Sequence, residues 1–358
     1  MGIALKELIR RPSRFVSVGG ALTMLVVLLV VLGGFLDGLA LNSTGPYRAH
    51  EGRLLVFSDG SELLIQRSKV DTARGDQLAS VEGVAAVGAL NQIASTAGDT
   101  VDIVLFGYDL STEVIPPPSA EGGAVIDRAL ADRYDVTEGD TLLLRATSEP
   151  VTVSAIVDDL SQGSPTVWIS TQRWREIVGV GNPAALPPVG TDQALVVEPA
   201  GDTDLATLAT RLTAIDGIDV ATSDEVIDAL PVVQQQSSTF QGIIGVTFVV
   251  TLMVVALFFT LITLERVDLY AVLKALGART GYLVAGISAQ AIGVSLVALV
   301  LGLGLSMAFV GLLPAELPVR LVPGRLLQTG VGVLLSALIG SLFTLRRVLN
   351  IDPAEAIG

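Results

Sequence analysis

Four long apolar runs without charged residues dominate the pattern of hydrophobic and polar positions along the chain. They span residues 15–36, 240–264, 281–313 and 326–345. About 20 residues of α-helix cross a hydrocarbon core of roughly 30 Å, and lipid offers no partner to unpaired backbone groups, so each run is expected to be helical. The sequence therefore predicts a membrane protein with four transmembrane α-helices.

The segment between the first two runs, residues 37–239, has the patterns of a folded domain. Residues 53–67 place two apolar runs around Asp59-Gly60, which predicts a β-hairpin. Residues 76–90 and 204–222 each predict a helix, a glycine turn and a strand. The repeat suggests a ferredoxin-like subdomain built from both ends of the segment. The predicted fold class is four transmembrane helices with a large mixed α/β domain between helices 1 and 2.

The middle of this domain predicts further elements. A short helix is expected around Ala129 and Leu130, followed by a turn at 138–140 and a strand from Thr141. Residues 151–157 alternate as a half-buried strand, and 166–170 predict another. Proline removes ladder donors, so residues 116–119 and 182–191 are predicted to be loops.

Basic residues set the predicted orientation. The short loop 314–325 contains Arg320 and Arg325, whereas nine basic residues flank the other helix ends. These nine are Lys6, Arg10, Arg11, Arg14, Arg266, Lys274, Arg279, Arg346 and Arg347. Because short cytoplasmic loops are rich in Lys and Arg, we expect both termini in the cytoplasm. The bias towards Ala, Val, Gly and Arg is typical of a bacterial protein, so the expected location is a bacterial inner or plasma membrane.

These patterns give a predicted domain organisation. Residues 1–14 form an amphipathic cytoplasmic helix that lies in the membrane interface and is separated from the first span by Pro12. The first run is longer than a secretory apolar region, so we expect the helix to be retained. The full order is 1–14, transmembrane helix 15–36, extracytoplasmic domain 37–239, transmembrane helix 240–264, cytoplasmic loop 265–280, transmembrane helix 281–313, outer loop 314–325, transmembrane helix 326–345 and cytoplasmic tail 346–358.

Charge and composition exclude several classes of function. Residues 37–239 hold 30 of the 36 acidic residues and 11 of the 22 basic ones, a net charge of −19, while the rest of the chain carries +5. An acidic outer domain argues against nucleic acid as a partner. The chain contains no cysteine, which excludes disulfides and thiol chemistry. The apolar runs contain no Asp, Glu, Lys, Arg or His, so an ion-coupled carrier is disfavoured.

Small residues recur every four positions in two of the predicted membrane helices. They are Ala285, Ala289 and Gly293 in the third helix and Gly332, Ser336 and Gly340 in the fourth. Such spacing lets helices approach closely in lipid. The pattern is compatible with packing inside one chain and with a homodimer seam.

The stretch 265–283, ERVDLYAVLKALGARTGYL, separates two membrane helices. An apolar stripe recurs at helical spacing, and Gly277 can cap the C-terminal end of the helix. Lys274 and Arg279 place positive charge at this end, where the helix dipole favours it. The stripe consists of Leu269, Val272, Leu273 and Leu276. Such a helix can rest on lipid or dock into the groove of a cytosolic partner.

Two motifs in this sequence resemble those of FtsX/MacB-type ABC transporter permeases. ERVDLYAVLKALGA is similar to their cytoplasmic-loop signature, and RRVLNIDPAEAIG is similar to their terminal D-P-x-E-A motif. In the tail, Asp352 can cap a helix, Pro353 suits its first position and Glu355 lies three residues after the cap. The outer-domain stretch VIDRALADRYDVTEGDTLLL and the order of one helix, a domain and three helices also resemble the family.

The resemblance implies a permease dimer, a homodimer here, with two copies of an ABC ATPase on its cytoplasmic side. ATP-driven closure of the ATPases would move the outer domains through the short cytoplasmic helix, a mechanism called mechanotransmission. The coupling residues would be Leu269, Val272, Leu273, Lys274, Ala275, Leu276, Gly277, Ala278 and Arg279. This chain has no G-x-x-x-x-G-K-[ST] motif, so it is expected to be no enzyme itself and to hold no cofactor, with ATP and Mg²⁺ bound by the partner.

The sequence leaves other interpretations open. Asp268 is shifted from the position where the family often has a glutamate, and the loop pattern Y-x-x-L-K-A-L-G-A is similar to that of the DevC-like branch. The outer domain lacks the long insertion with which MacB proteins meet an outer-membrane partner, so the presence of an accessory protein is left open. Export or extraction of a lipid, peptide or drug is favoured over an FtsX-like regulator that activates a cell-wall hydrolase. An enzyme built on His50 with Asp158 or Asp159 is disfavoured, because a lone histidine is expected to be an exposed surface residue.

Overall fold

The computed structural model describes residues 13–97, 101–119, 122–144, 150–265, 272, 276, 280–313 and 317–343. The chain divides into two compact units. One unit comprises residues 1–38 and 236–358, and the other comprises residues 39–235. We refer to them as the membrane unit and the outer domain.

The described residues form nine α-helices and eleven β-strands, with a single 3₁₀ turn at Pro183–Ala185. The helices are α1 Ser13–Arg48, α2 Ala73–Ala79, α3 Arg128–Tyr134, α4 Thr171–Gly181, α5 Leu205–Thr213, α6 Ser223–Ala229, α7 Pro231–Leu264, α8 Thr280–Val310 and α9 Pro323–Phe343. The strands are β1 Leu54–Ser58, β2 Val70–Asp71, β3 Val84–Ala97, β4 Val101–Tyr108, β5 Ala124–Asp127, β6 Thr141–Leu143, β7 Pro150–Val157, β8 Thr166–Ser170, β9 Thr191–Asp192, β10 Ala194–Pro199 and β11 Ile218–Thr222.

Four helices of the described chain, α1, α7, α8 and α9, are long and apolar enough to cross a membrane. This confirms the predicted fold class. The first apolar run lies inside α1, which continues to Arg48. Each of the four helices contributes a fully buried side chain to the unit's main core, namely Leu22, Val255, Ala291 and Ala337. The helices therefore pack as one bundle.

Part of the outer domain has ferredoxin-like topology. Strands β1, β3, β10 and β11 lie in the spatial order β11-β1-β10-β3, and all neighbours are antiparallel. Helix α2 leads into β3 and α5 into β11, each through a turn with a glycine at positive φ, Gly83 and Gly217. This is the split βαβ arrangement expected from the two helix-turn-strand repeats. We call this part the ferredoxin-like lobe.

The predicted hairpin at Asp59-Gly60 does not form, and the sequence-based prediction was wrong here. Strand β1 precedes a turn at Gly60, but residues 61–67 form further turns, with positive φ at Glu62 and Leu63. Both edges of β1 are already paired, with β10 on one side and β11 on the other. A neighbouring hairpin strand therefore has no edge to pair with, and Ile65 is buried in the core as part of a loop.

The remaining strands form a second lobe that curls on itself. The sheet continues from β3 through β4, β8, β5 and β7 to β6. Leu144, just after β6, forms a bridge with Ala97 at the end of β3. The strands thus form a closed, barrel-like lobe, whose core includes Trp174 and Ile177 of α4 and Leu130 of α3.

The elements predicted in this lobe are confirmed. Asp127 caps α3 by accepting a hydrogen bond from the Ala129 N–H, and Gly139, at positive φ, lies in the turn before β6. Strand β7 alternates as expected, with Val151 and Val153 buried and Thr152 exposed. Strand β8 spans the predicted 166–170 segment.

Candidate functional site

The predicted coupling loop lies between the end of α7 and the start of α8. Within it the structure describes one helical contact, in which the Leu276 N–H donates to the Val272 carbonyl at 3.0 Å. Val272 is 47% exposed and Leu276 is 79% exposed. Residues four apart lie on the same helix face. The loop therefore presents an exposed apolar pair, an arrangement that an apolar groove on a partner protein can bind.

The other predicted site residues lie outside the described residues. In the loop these are Leu269, Leu273, Lys274, Ala275, Gly277, Ala278 and Arg279. The tail motif is also outside them, with Asp352, Pro353 and Glu355. The same holds for residues 1–12 of the predicted N-terminal helix. The assignment of these residues to coupling stays a prediction.

The small-residue stripe of α9 packs inside the chain. A Cβ atom added at Gly332 would lie 2.5 Å from the Phe248 ring, and one at Gly340 would lie 3.0 Å from the Leu252 carbonyl oxygen. Both neighbours belong to α7, so this stripe brings α7 and α9 together. In the α8 stripe, Ala285 is exposed. The close approach of α8 to α1 is made by Gly302 instead, where a Cβ would lie 2.5 Å from Val26.

A second glycine face, on α1, escaped the sequence analysis. The Arg320 N–H donates to the Gly34 carbonyl at 2.9 Å. A Cβ atom at Gly38 would lie only 1.7 Å from the Pro318 carbonyl oxygen. Backbone from the loop before α9 therefore lies directly on this face. The four-residue spacing of Gly34 and Gly38 was the available signal, since it matches the spacing that identified the other stripes.

An ion pair joins the same two segments. Arg325 Nη2 lies 2.7 Å from Asp37 Oδ1, and Arg325 Nε lies 3.1 Å from the same oxygen. Both side chains are largely shielded from solvent. In the sequence, Arg325 served only as a marker of orientation. The structure gives it a second role, because it fixes the start of α9 to the end of the membrane part of α1.

His50 is buried, contrary to the expectation of an exposed residue. It is 1% exposed, its Nδ1 lies 2.8 Å from the Pro46 carbonyl, and its ring centroid lies 6.2 Å from that of Trp168. The pKa of His50 is lowered to about 4, mainly because of burial; the hydrogen bond to Pro46 opposes the shift, and the nearby Arg53 charge adds to it. His50 is a core residue because the chain turns inward directly after α1.

The arrangement offers no support for an enzyme centred on His50. Asp158 forms an ion pair with Arg128 at 2.9 Å, and the His50 Nδ1 is occupied by Pro46. Within the described ranges, no group of three or more His, Cys, Asp or Glu side chains could hold a metal ion. The described residues combine four apolar helices, long enough to cross a membrane, with a mixed α/β outer domain.

Part of the chain matches a known protein family. Residues 242–353 match the family model described as "FtsX-like permease C-terminal". The matched segment begins within α7 and includes α8, α9 and the predicted coupling loop.

Similar proteins carry names of the same class. The "Putative hemin transport system permease protein HrtB" of Staphylococcus haemolyticus is 29% identical over 147 residues, which cover 41% of this chain and 42% of that protein. The chain thus spans less than half of that relative. The "Uncharacterized ABC transporter permease Rv0072" of Mycobacterium tuberculosis is 24% identical over 93% of this chain and 95% of its own length.

Among solved structures, the periplasmic region of MacB from Actinobacillus actinomycetemcomitans covers 50% of this chain at 12% identity, with a TM-score of 0.37. The family match and the named relatives confirm the resemblance found in the sequence. The described chain has four helices long and apolar enough to cross a membrane, and it is similar to proteins named as ABC transporter permeases. The part of the chain that the family model covers is residues 242–353, which match the FtsX-like permease C-terminal domain.

Proposed function

We propose that this permease couples ATP binding and hydrolysis by a separate ABC ATPase to movement of its outer domain. The movement serves export or extraction of a lipid, peptide or drug. Two permease chains and two ATPase chains form the complex, with both termini and the coupling loop in the cytoplasm. ATP and Mg²⁺ belong to the partner, because this sequence lacks the phosphate-binding loop that would hold them.

The exposed apolar pair in the coupling loop is the observation that carries this proposal. Val272 and Leu276 lie on one turn between two membrane helices, and neither is buried by this chain. The predicted basic residues of the same loop suit an acidic rim around such a groove. A buried apolar anchor with charged neighbours is a common way for a short helix to dock.

The cargo class is taken from the family resemblance, and the outer domain bears on it at one point. One relative is named for hemin transport, and iron in haem commonly takes histidine as an axial ligand. The sequence contains a single histidine, and it is buried against Pro46. The outer domain therefore presents no histidine for that role, and we retain lipid, peptide or drug as the proposed cargo.

A double substitution, Val272→Asp with Leu276→Asp, tests the coupling loop. The protein is expected to remain in the membrane but to lose the ATPase, because two carboxylates cannot enter an apolar groove without a large desolvation cost. The measurement is co-purification of the ATPase from detergent extracts, with captured subunits identified by mass spectrometry.

Val189→Asp is the matched control, since Val189 is a fully exposed valine of the outer domain. This variant should keep the ATPase. Undiminished ATPase capture by the double variant would refute the role of the loop. ATPase capture together with a bound cell-wall hydrolase, and no ATP-dependent release of cargo, would favour the hydrolase-regulator alternative.

A further inference from the structure

Helix α1 contains a proline near its C-terminal end that frees a backbone acceptor. Pro46 has no N–H, so the Asn42 carbonyl lacks the hydrogen bond that residue 46 would otherwise donate. The Gly163 N–H donates to this carbonyl at 2.7 Å. The Gly45 N–H also points to the same loop and donates to the Ser161 carbonyl at 3.1 Å. The opened turn is thus closed by another part of the outer domain.

The partner segment is residues 158–164, which we call the clasp loop. Arg48 Nη2 donates to the Asp159 carbonyl at 3.1 Å and to the Leu41 carbonyl at 2.9 Å. A Cβ atom on Gly45 would lie 2.5 Å from both the Asp159 carbonyl oxygen and the Leu160 carbonyl carbon. The backbones of helix and loop therefore touch, which requires glycine at position 45.

The clasp loop is itself anchored in the outer domain. Leu160 is buried in its core, and its carbonyl accepts a hydrogen bond from Thr166 Oγ1 at 3.1 Å. The Ser161 hydroxyl donates to the buried carboxylate of Asp127, which also caps α3. On the other side, the Ser223 hydroxyl at the start of α6 donates to the Tyr47 carbonyl. The end of α1 is therefore held by both lobes.

The start of α7, also in the outer domain, is held differently. Pro231, Val232 and Gln234 are exposed. Gln234 Nε2 donates to the Asp228 carbonyl, only six residues earlier in the chain. Leu230 and Val233 pack on the core, but this helix start has no counterpart to the proline-opened turn. The start of α7 is thus held by core packing and by a bond to its own approach segment, whereas the end of α1 is held by backbone contacts with the clasp loop.

We propose that residues 42–48 of α1 and the clasp loop form the rigid joint through which movement of α1 is passed to the outer domain. The start of α7 is then the compliant connection. A packed, hydrogen-bonded joint transmits displacement, whereas an exposed segment absorbs it through backbone rotation. This inference rests on the proposed function and assigns a positioning role to Gly45, Arg48 and the clasp loop.

The test measures outer-domain movement in the complex of permease and ATPase in lipid nanodiscs. The chain has no cysteine, so spin labels can be placed at Val189→Cys and Leu312→Cys, both exposed. Pulsed spectroscopy gives the distance between the labels without nucleotide and after trapping with ATP and vanadate. Both tryptophans, Trp168 and Trp174, lie in the outer domain, so their fluorescence reports whether it is folded.

Gly45→Ala should preserve ATP hydrolysis but reduce the nucleotide-dependent distance change by about twofold or more, because the added methyl group opens the clasp. Gly20→Ala in the same helix is the control, since no atom lies within 4 Å of its added Cβ. A full distance change in a folded Gly45→Ala protein would overturn the inference.

If Gly45→Ala does not fold, Arg48→Met provides the same test, because it removes the bonds to Asp159 and Leu41. Arg67→Met is its control, since Arg67 pairs locally with Glu62 on the surface. A reduced change in Arg48→Met alone supports the joint, and an unchanged response contradicts it. A wild-type complex that hydrolyses ATP with no distance change would instead refute the proposed function, and this inference with it.

Discussion

At the scale of single residues, His50 shows how burial sets a titration. It lies just after α1, packed near Trp168 with its Nδ1 on the Pro46 carbonyl. Burial lowers its pKa to about 4, so the folded protein keeps it neutral where an unfolded chain would already be protonated. His50 therefore links the stability of the outer domain to pH in the mildly acidic range.

We predict that the outer domain loses stability as pH falls from about 6.5 towards 4. Stability is full above the unfolded pKa, because neither state is protonated there. Below it only the unfolded state gains the proton at first, and the loss approaches roughly 3 kcal/mol near the folded pKa of about 4. Denaturant titrations of the full-length protein in nanodiscs, followed by tryptophan fluorescence at several pH values, measure this.

His50→Asn is the comparison, since it can keep a donor to Pro46 but does not titrate. The free energy of unfolding of this variant should change less with pH over this window. Asp127 acts in the opposite direction, because burial raises its pKa and its charged form costs stability as pH rises. An equally steep loss of stability in the Asn variant would show that another group is responsible.

At the scale of elements, α1 uses its glycines for contact with backbone. Gly34 and Gly38 admit the loop before α9, and Gly45 admits the clasp loop. Gly19 and Gly20 in the same helix have no atom within 4 Å of an added Cβ. Gly34, Gly38 and Gly45 therefore lie where another backbone segment touches the helix. These three positions should be far less tolerant of a methyl group than Gly19 and Gly20.

Gly38→Ala should destabilise the membrane unit by about 1–3 kcal/mol, the usual cost of overpacking. The reason is that its Cβ would lie 1.7 Å from the Pro318 carbonyl oxygen. Thermal unfolding of the protein in nanodiscs, compared with Gly20→Ala, measures the effect. Equal midpoints for the two variants would mean that the loop before α9 can move away at little cost.

At the scale of the whole molecule, charge follows the predicted topology. The segment 37–239 carries −19 and the rest of the chain +5, while the basic residues cluster beside the helix ends assigned to the cytoplasm. The absence of cysteine makes each position individually addressable. Membrane sidedness can therefore be measured directly.

We predict that Val189→Cys reacts with a membrane-impermeant maleimide in spheroplasts, whereas Leu276→Cys reacts only after the membrane is opened. Both side chains are well exposed, so accessibility reports sidedness and not burial. The expectation follows from the positive-inside rule. The reverse labelling pattern would invert the topology and place the coupling loop away from any cytosolic ATPase.

The sequence by itself determined the four membrane helices, because a long charge-free run has one stable conformation in lipid. It also determined the helix-turn-strand repeats, the elements of residues 128–170 and the family resemblance. These depend on local periodicity and on glycine turns. The helical spacing of apolar residues in the coupling loop likewise predicted that Val272 and Leu276 lie on one face, and both are exposed.

Only the tertiary structure decided the contacts between distant segments. The predicted hairpin at Asp59-Gly60 does not form because β10 and β11, two strands far from β1 in sequence, pair with its two edges. The burial of His50, the pairing of Asp37 with Arg325 and the clasp at Pro46 likewise depend on segments brought together by the fold. Local sequence patterns fix which element forms. Strand-edge pairing, side-chain burial and the satisfaction of a freed backbone carbonyl depend on which distant segment packs beside that element in the fold.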